Sequence, residues 1–453
     1  MTANMRSNST FTRTSRWFLA PTLALAIAGC GMFSGNGDKD KTPTLGNRTP
    51  ILSRIAQEVA VDPALASTAV VLPPAQTNAD WPQAGGNASK APGHAALSAT
   101  PARAWTAAIA GATKTRRLAA APVVGDGRLY SVDTSGVVHA FDAASGAKVW
   151  AHTIQVSGDL RDATFGGGAS FAEGRVYATT GTGDVVALDA ATGAEQWRVK
   201  PAGPLRGSPT VAFNSLYVMT QDNQIYALSL ANGDIDWQMS AASGQSGVFG
   251  VAAPAAGQGT VIAGYSSGEL VAYRYENGRE LWSDALARTS ISTQVGTLTD
   301  VDADPIIDQG RVYALGQGGR MAAYELTTGQ RLWELTLAGI STPAVAGEWV
   351  FTLTDDARIL AIQRNTGKVR WITQLDAFRN AEKKEDPIFW TGPVLANNRL
   401  WVASSRGQVV SVDVASGAAA NFAELSDPVS LPPVVAGNTL YILDDSGRIT
   451  AWR

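Results

Sequence analysis

A single short pattern, an alanine, then an aspartate two residues later, a Ser/Thr-Gly pair, and a tryptophan four residues after that glycine, recurs along this chain and limits what it can fold into. Seven glycines anchor the series: Gly146, Gly193, Gly233, Gly278, Gly329, Gly367 and Gly417. Six residues before them stand Ala140, Ala187, Ala227, Ala272, Ala323 and Ala361, with Ser411 as the exception. Four residues after them stand Trp150, Trp197, Trp237, Trp282, Trp333 and Trp371, with Asn421 as the exception. The tryptophans are 47, 40, 45, 51 and 38 residues apart. A period of that length belongs to propeller blades or to helical repeats.

Strand chemistry decides between the two. Each unit alternates apolar and polar residues in short runs, as in Leu129-Tyr130-Ser131-Val132 and Val176-Tyr177-Ala178-Thr179, and glycine-containing turns separate the runs. No unit keeps an apolar pattern at helical spacing over ten residues. Each unit is therefore expected to be a four-stranded antiparallel sheet, with the glycine supplying positive φ in the hairpin before the outermost strand. The alanine keeps a crowded position small, and the indole packs on the neighbouring unit. The last unit, Asn438 to Arg453, ends before its own glycine and tryptophan. Arg103-Ala104-Trp105-Thr106 fits the missing strand, so the start of the domain completes its last blade and closes the ring. The expected fold is all-β: an eight-bladed propeller over residues 101–453.

The first 29 residues read as a signal peptide. Arg6, Arg13 and Arg16 precede an uncharged stretch from Trp17 to Gly29, shorter than the roughly 20 residues that span a bilayer. The stretch ends in Ile27-Ala28-Gly29-Cys30, which resembles a lipobox, and Cys30 is the one cysteine among 453 residues. Residues 30–100 read as a lipidated tether and N-terminal extension, poorly ordered or laid along the domain, with one short helix from Leu52 to Val59.

One cysteine leaves no material for an internal disulfide or a cysteine-based zinc site. A formal net charge of −3 gives no basic surface for nucleic acid. Gly264-Tyr265-Ser266-Ser267-Gly268 matches a nucleophile elbow in letters, but it falls in a hairpin, where a strand-to-helix turn is required. Asp300-Val301-Asp302-Ala303-Asp304 starts like a calcium loop but carries Pro305 and Arg311 where glycine and glutamate are needed, so its carboxylates read as solvated turn formers. Gly166-Gly167-Gly168 lacks the lysine of a phosphate loop and reads as close packing near the axis. His139 reads as a surface side chain in a hairpin. No catalytic, cofactor or metal residues are assigned. Pro204-Leu205-Arg206-Gly207 and the Asp300–Asp304 loop have no evident structural task; leucine beside arginine suits a contact surface, and an acidic loop suits a basic partner.

The repeat resembles the pyrroloquinoline-quinone-type propeller over nearly all of 101–453. Together with the lipobox, Leu205-Arg206-Gly207 and Asp300-Val301-Asp302 followed by Pro305, it is similar to the BamB family of outer-membrane protein assembly factors. The resemblance implies a non-enzymatic lipoprotein scaffold, acylated at Cys30 and held at the periplasmic face of the outer membrane. It also implies that Leu205, Arg206, Asp300 and Asp302 bind the periplasmic domains of a BamA-type barrel subunit. A leucine of the family two residues before Leu205 is replaced here by Gly203. Unfolded outer-membrane proteins are further candidate partners, through strand addition at a blade edge. Two rival readings use the same fold: a quinone-dependent periplasmic dehydrogenase, and a propeller that binds a small ligand.

Overall fold

The computed structural model describes residues 59–156, 166–242, 252–286 and 300–453. Cys30, the signal segment and nearly all of the Leu52–Val59 stretch lie outside the described residues. Eight four-stranded antiparallel sheets follow one another around a ring. Blades 1 to 7 begin with the inner strands Val123–Gly125, Ala169–Ala172, Leu205–Ala212, Ala255–Gly257, Ile306–Asp308, Ala344–Ala346 and Trp390–Ala396. Blade 8 has Val434–Ala436, Thr439–Leu443 and Arg448–Trp452 from the end of the chain, and Arg103–Ala108 as its outermost strand. Ala102 and Arg453 exchange both of their backbone hydrogen bonds across this seam, at 2.6 and 2.9 Å.

Every letter of the repeat has a task. The repeat glycine has φ near +70 to +79° in all seven units. At Gly329, a side chain would also strike the Trp282 ring of the preceding blade at 2.5 Å. The aspartate Oδ1 accepts the backbone N–H and the hydroxyl of the Ser/Thr three residues on, as in Asp142–Ser145, Asp189–Thr192 and Asp413–Ser416. The alanine faces the tryptophan of its own blade directly across the outer strand pair: Ala140 opposite Trp150, Ala272 opposite Trp282, Ala361 opposite Trp371. The indole N–H then reaches forward to a carbonyl of the next blade. Trp150 bonds Ala190 O, Trp197 bonds Leu230 O, Trp282 bonds Leu326 O and Trp371 bonds Val414 O.

This relay accounts for the shortened last unit and for Asn421. Trp105, arriving from the start of the domain, takes the place of a tryptophan of blade 8: it stands opposite Ala451, bonds Ala143 O and covers Gly146 of blade 1. Blade 8 has no hairpin before its outer strand, because that strand, Arg103–Ala108, comes from before blade 1. Blade 7 therefore has no glycine turn to cover, and Asn421 is exposed at that position while Phe422 sits edge-on to Trp401 and Trp452.

The middle strands of each blade are buried on both faces, since a neighbouring blade covers each side. Thus His139, expected at the surface, is 7% exposed. Its Nε2 lies 2.8 Å from Asp133 Oδ2, and its ring stacks on Phe141.

Residues 59–100 are laid along the propeller, which corrects the poorly ordered alternative for this part of the extension. The strap begins at the rim, where Val61 pairs in parallel with Val369 on the outer strand of blade 6 and Asp62 meets Lys368 at 2.9 Å. It then circles the axis, capping the inner edge of one blade after another. Asn78 O accepts from Gly437 N of blade 8, and Trp81 exchanges two bonds with Val124 of blade 1. Pro82 O takes Phe171 N of blade 2, and the Gln83 side chain takes both backbone groups of Val211 in blade 3. Ala88 O and Ser89 O take Ala256 N and Ile307 N of blades 4 and 5, and Ala95 reaches Leu395 and Asn397 of blade 7. His94 accepts from Asn398 N at Nε2, so its Nδ1 carries the proton and donates to Pro73 O. The inner strands of a propeller leave a row of backbone donors facing the axis, and this segment satisfies them.

Candidate interaction face and axis

Strands run antiparallel from the axis outwards in each blade. Connections between blades, and the hairpins between second and third strands, therefore emerge on one face. The remaining hairpins emerge on the other, where the strap lies. Pro204–Gly207 leads into blade 3 and Asp300–Pro305 leads into blade 5, so both motifs singled out from the sequence share the face opposite the strap.

The structure brings these motifs to one face and buries Leu205 and the three aspartates there. Leu205 opens the inner strand of blade 3 and is 1% exposed, packed with Tyr177, Val185 and Val218 between blades 2 and 3. Its side chain is core. Arg206 follows it opposite Met219. Asp300, Asp302 and Asp304 are all buried, so the solvated-turn reading is corrected. The loop is pinned by Val301 N to Tyr265 O, Gln317 N to Asp300 O and the Val301 side chain against Gly264.

Asp304 has a task that the sequence did not reveal. A belt of hydrogen bonds links inner strands from blade to blade: Ser170 Oγ to Pro209 O, Thr210 Oγ1 to Pro254 O, Ala253 N to Asp304 Oδ1, and Asp304 N to Thr342 Oγ1. Lys90, from the strap, is 1% exposed inside this belt. Its ammonium donates to Ala84 O at 2.9 Å and to Thr210 Oγ1 at 3.0 Å. Burial pushes Lys90 down to about 8, against the pull of the Asp304 charge. Burial likewise raises Asp304, against the Lys90 charge and the Ala253 N–H. No sequence signal marks Lys90, because lysine is among the residues least often buried.

The axis is crowded beside the belt. A Cβ on Gly168 would lie 2.2 Å from Ser208 Oγ and 2.5 Å from the Ala120 methyl, which agrees with the packing reading of Gly166–Gly168. The Gly264–Gly268 stretch is a hairpin turn, as expected, with Gly268 N bonded to Tyr265 O and Ser266 Oγ to Asn223. Among the described residues, no three His, Cys, Asp or Glu side chains are grouped to hold a metal ion.

One titratable pair on this face gives a direct test. Burial acts to raise Asp133, but hydrogen bonds from His139 and from the N–H groups of Val137 and Ser135 outweigh it and hold the carboxyl below its ordinary 3.8. A depressed carboxylate contributes stability that is complete above its unfolded value and lost as pH falls through its folded one. Urea midpoints measured from about pH 5 down to about pH 3 are thus expected to fall more steeply for wild type than for Asp133→Asn. Parallel curves would remove Asp133 from the acid limb.

The fold, the closing strand and the tryptophan–glycine relay define a closed propeller of pyrroloquinoline-quinone-type repeats. The profile of one such family, described as outer membrane protein assembly factor BamB, matches residues 93–160 and 134–373. The chain belongs to this family. The BamB of Salmonella typhimurium is 28% identical, with 78% of this chain and 88% of that protein covered. Among solved structures, BamB from Moraxella catarrhalis superposes with a TM-score of 0.63 at 20% identity, covering 78% of this chain and 99% of that one. A quinohemoprotein alcohol dehydrogenase from Comamonas testosteroni superposes with a TM-score of 0.65 at 15% identity, covering 83% and 81%, which is a likeness of fold alone.

Proposed function

We propose that this protein is a non-enzymatic scaffold of the outer-membrane β-barrel assembly machinery, anchored by an acylated Cys30 at the periplasmic face of the outer membrane. Its docking surface is the face opposite the strap, where the loops entering blades 3 and 5 present themselves to the periplasmic domains of a BamA-type barrel subunit. Family membership over most of the propeller carries this reading. Arg206 supplies the charge that meets the partner; Leu205, Asp300 and Asp302, all buried, act from beneath, by fixing the backbone of the two loops. Unfolded outer-membrane proteins engage the same scaffold at open outer-strand edges, where main-chain bonds recognise any extended segment.

The test is recovery of the barrel subunit from detergent-extracted membranes with tagged wild type, Arg206→Ala and Asp302→Asn. Wild type is expected to bring it down, Arg206→Ala to bind at least about ten-fold more weakly, as loss of a charge-assisted contact of roughly 1.5–3 kcal/mol implies, and Asp302→Asn to bring down less because the loop is loosened. Equal recovery by all three would sink the loop assignment. Absence of the subunit from the wild-type sample would sink the scaffold reading.

A further inference from the structure

We propose that Lys90 couples the N-terminal strap to the Asp300–Asp304 loop, so that the seating of the strap on one face sets the shape of the loop on the other. This rests on the docking role proposed for that loop.

The geometry is built for such a link. The strap turns sharply around Lys90: Gly85, with φ +69°, lies so close that a Cβ would meet Lys90 Cδ at 2.9 Å. Asn87 ties the turn by accepting Ala91 N and donating to Ala91 O. The lysine stem is thereby aimed inwards, and its ammonium bonds the strap itself, through Ala84 O, and the ring, through Thr210. Thr210 has spent its proton on Pro254 O, so it meets Lys90 as an acceptor. Pro254 adjoins Ala253, whose N–H is bound by the Asp304 carboxylate. The buried ammonium and the buried carboxylate share this small space, and each offsets part of the desolvation of the other. Asp304 terminates the loop whose other end is fixed by Gln317 and Tyr265.

Removing the ammonium leaves Asp304 a buried carboxylate without its cation. The carboxylate then moves towards water or takes up a proton, and its bond to Ala253 N weakens in either case. The loop loosens although no residue of the loop has changed.

The experiment is hydrogen exchange on the full chain, comparing wild type with Lys90→Met, Asp304→Asn and the double variant. Exchange at the Ala253, Val301 and Gln317 amides is expected to speed up about ten-fold or more in Lys90→Met. The Ala102–Arg453 seam, on the far side of the ring, keeps its wild-type protection. The double variant is expected to be no worse than the more affected single one, since both break one link. Lys90→Gln, which keeps a donor but no charge, serves if Lys90→Met does not fold; it is expected to loosen the same three amides. Unchanged exchange at all three, or fully additive effects, would overturn the coupling. Barrel-subunit recovery with Lys90→Met is measured alongside. Failure of wild type to recover the subunit would refute the docking role while the exchange result still decides the coupling.

Discussion

Trp282→Ala is expected to lower the unfolding free energy by about 3–5 kcal/mol, the range for removing a buried tryptophan side chain. The indole is 8% exposed and stacks on Tyr324 of the next blade with ring centroids 5.5 Å apart. Its N–H is the donor to Leu326 O at 2.7 Å, and its face is what Gly329 lies against. Truncation therefore removes core volume, leaves a buried carbonyl without its donor and uncovers a turn. The control lies in the chain itself: Asn421 occupies the equivalent place in blade 7, is exposed and has no turn to cover. Asn421→Ala is expected to stay within about 0.5 kcal/mol of wild type. Urea unfolding of both variants checks this. Similar costs at the two positions would show that the tryptophans act as separate core residues rather than as links between blades.

Trp81→Ala is expected to cost about as much, again about 3–5 kcal/mol, although position 81 precedes the first blade. Its side chain is 5% exposed and belongs to the core shared by blades 7, 8 and 1, with Val124, Val435 and Trp452. Its backbone pairing with Val124 is left intact by the substitution, so the loss measures packing. A strap that merely tethers the ring would give almost no change in the urea midpoint. A large change makes residues 76–97 part of the folding unit.

The propeller was legible because its information is local. Ala140, Asp142, Ser145, Gly146 and Trp150 fall within eleven residues, and each acts on its own hairpin or the next. Trp105 was legible because it repeats that same local chemistry. The strap was legible only as one of two alternatives, because most of its bonds are backbone to backbone and reach partners far away in the chain, such as Trp81 to Val124 and Asn78 to Gly437. A carbonyl that will be bonded looks like any other in sequence. His139 was misjudged for a related reason. Its place beside a hairpin implied a surface side chain, but a blade strand is covered on both faces, so polar residues go inside as well. The acidic loop was recognised as unusual, yet the group that explains Asp304 is a lysine more than two hundred residues earlier.

The seam in blade 8 also governs timing. Ala102 meets Arg453, so a pairing near the start of the domain requires a residue just past its last strand. Contacts of such sequence separation cost the most loop entropy and form late. Blades 1 to 7 are each assembled from consecutive strands and are free to form one by one, while Trp105 has nothing to pair with until Ala451 arrives. The ring is therefore the last thing to exist: during synthesis the early strand stays an unpaired edge, and a chain cut even one strand short would leave it so.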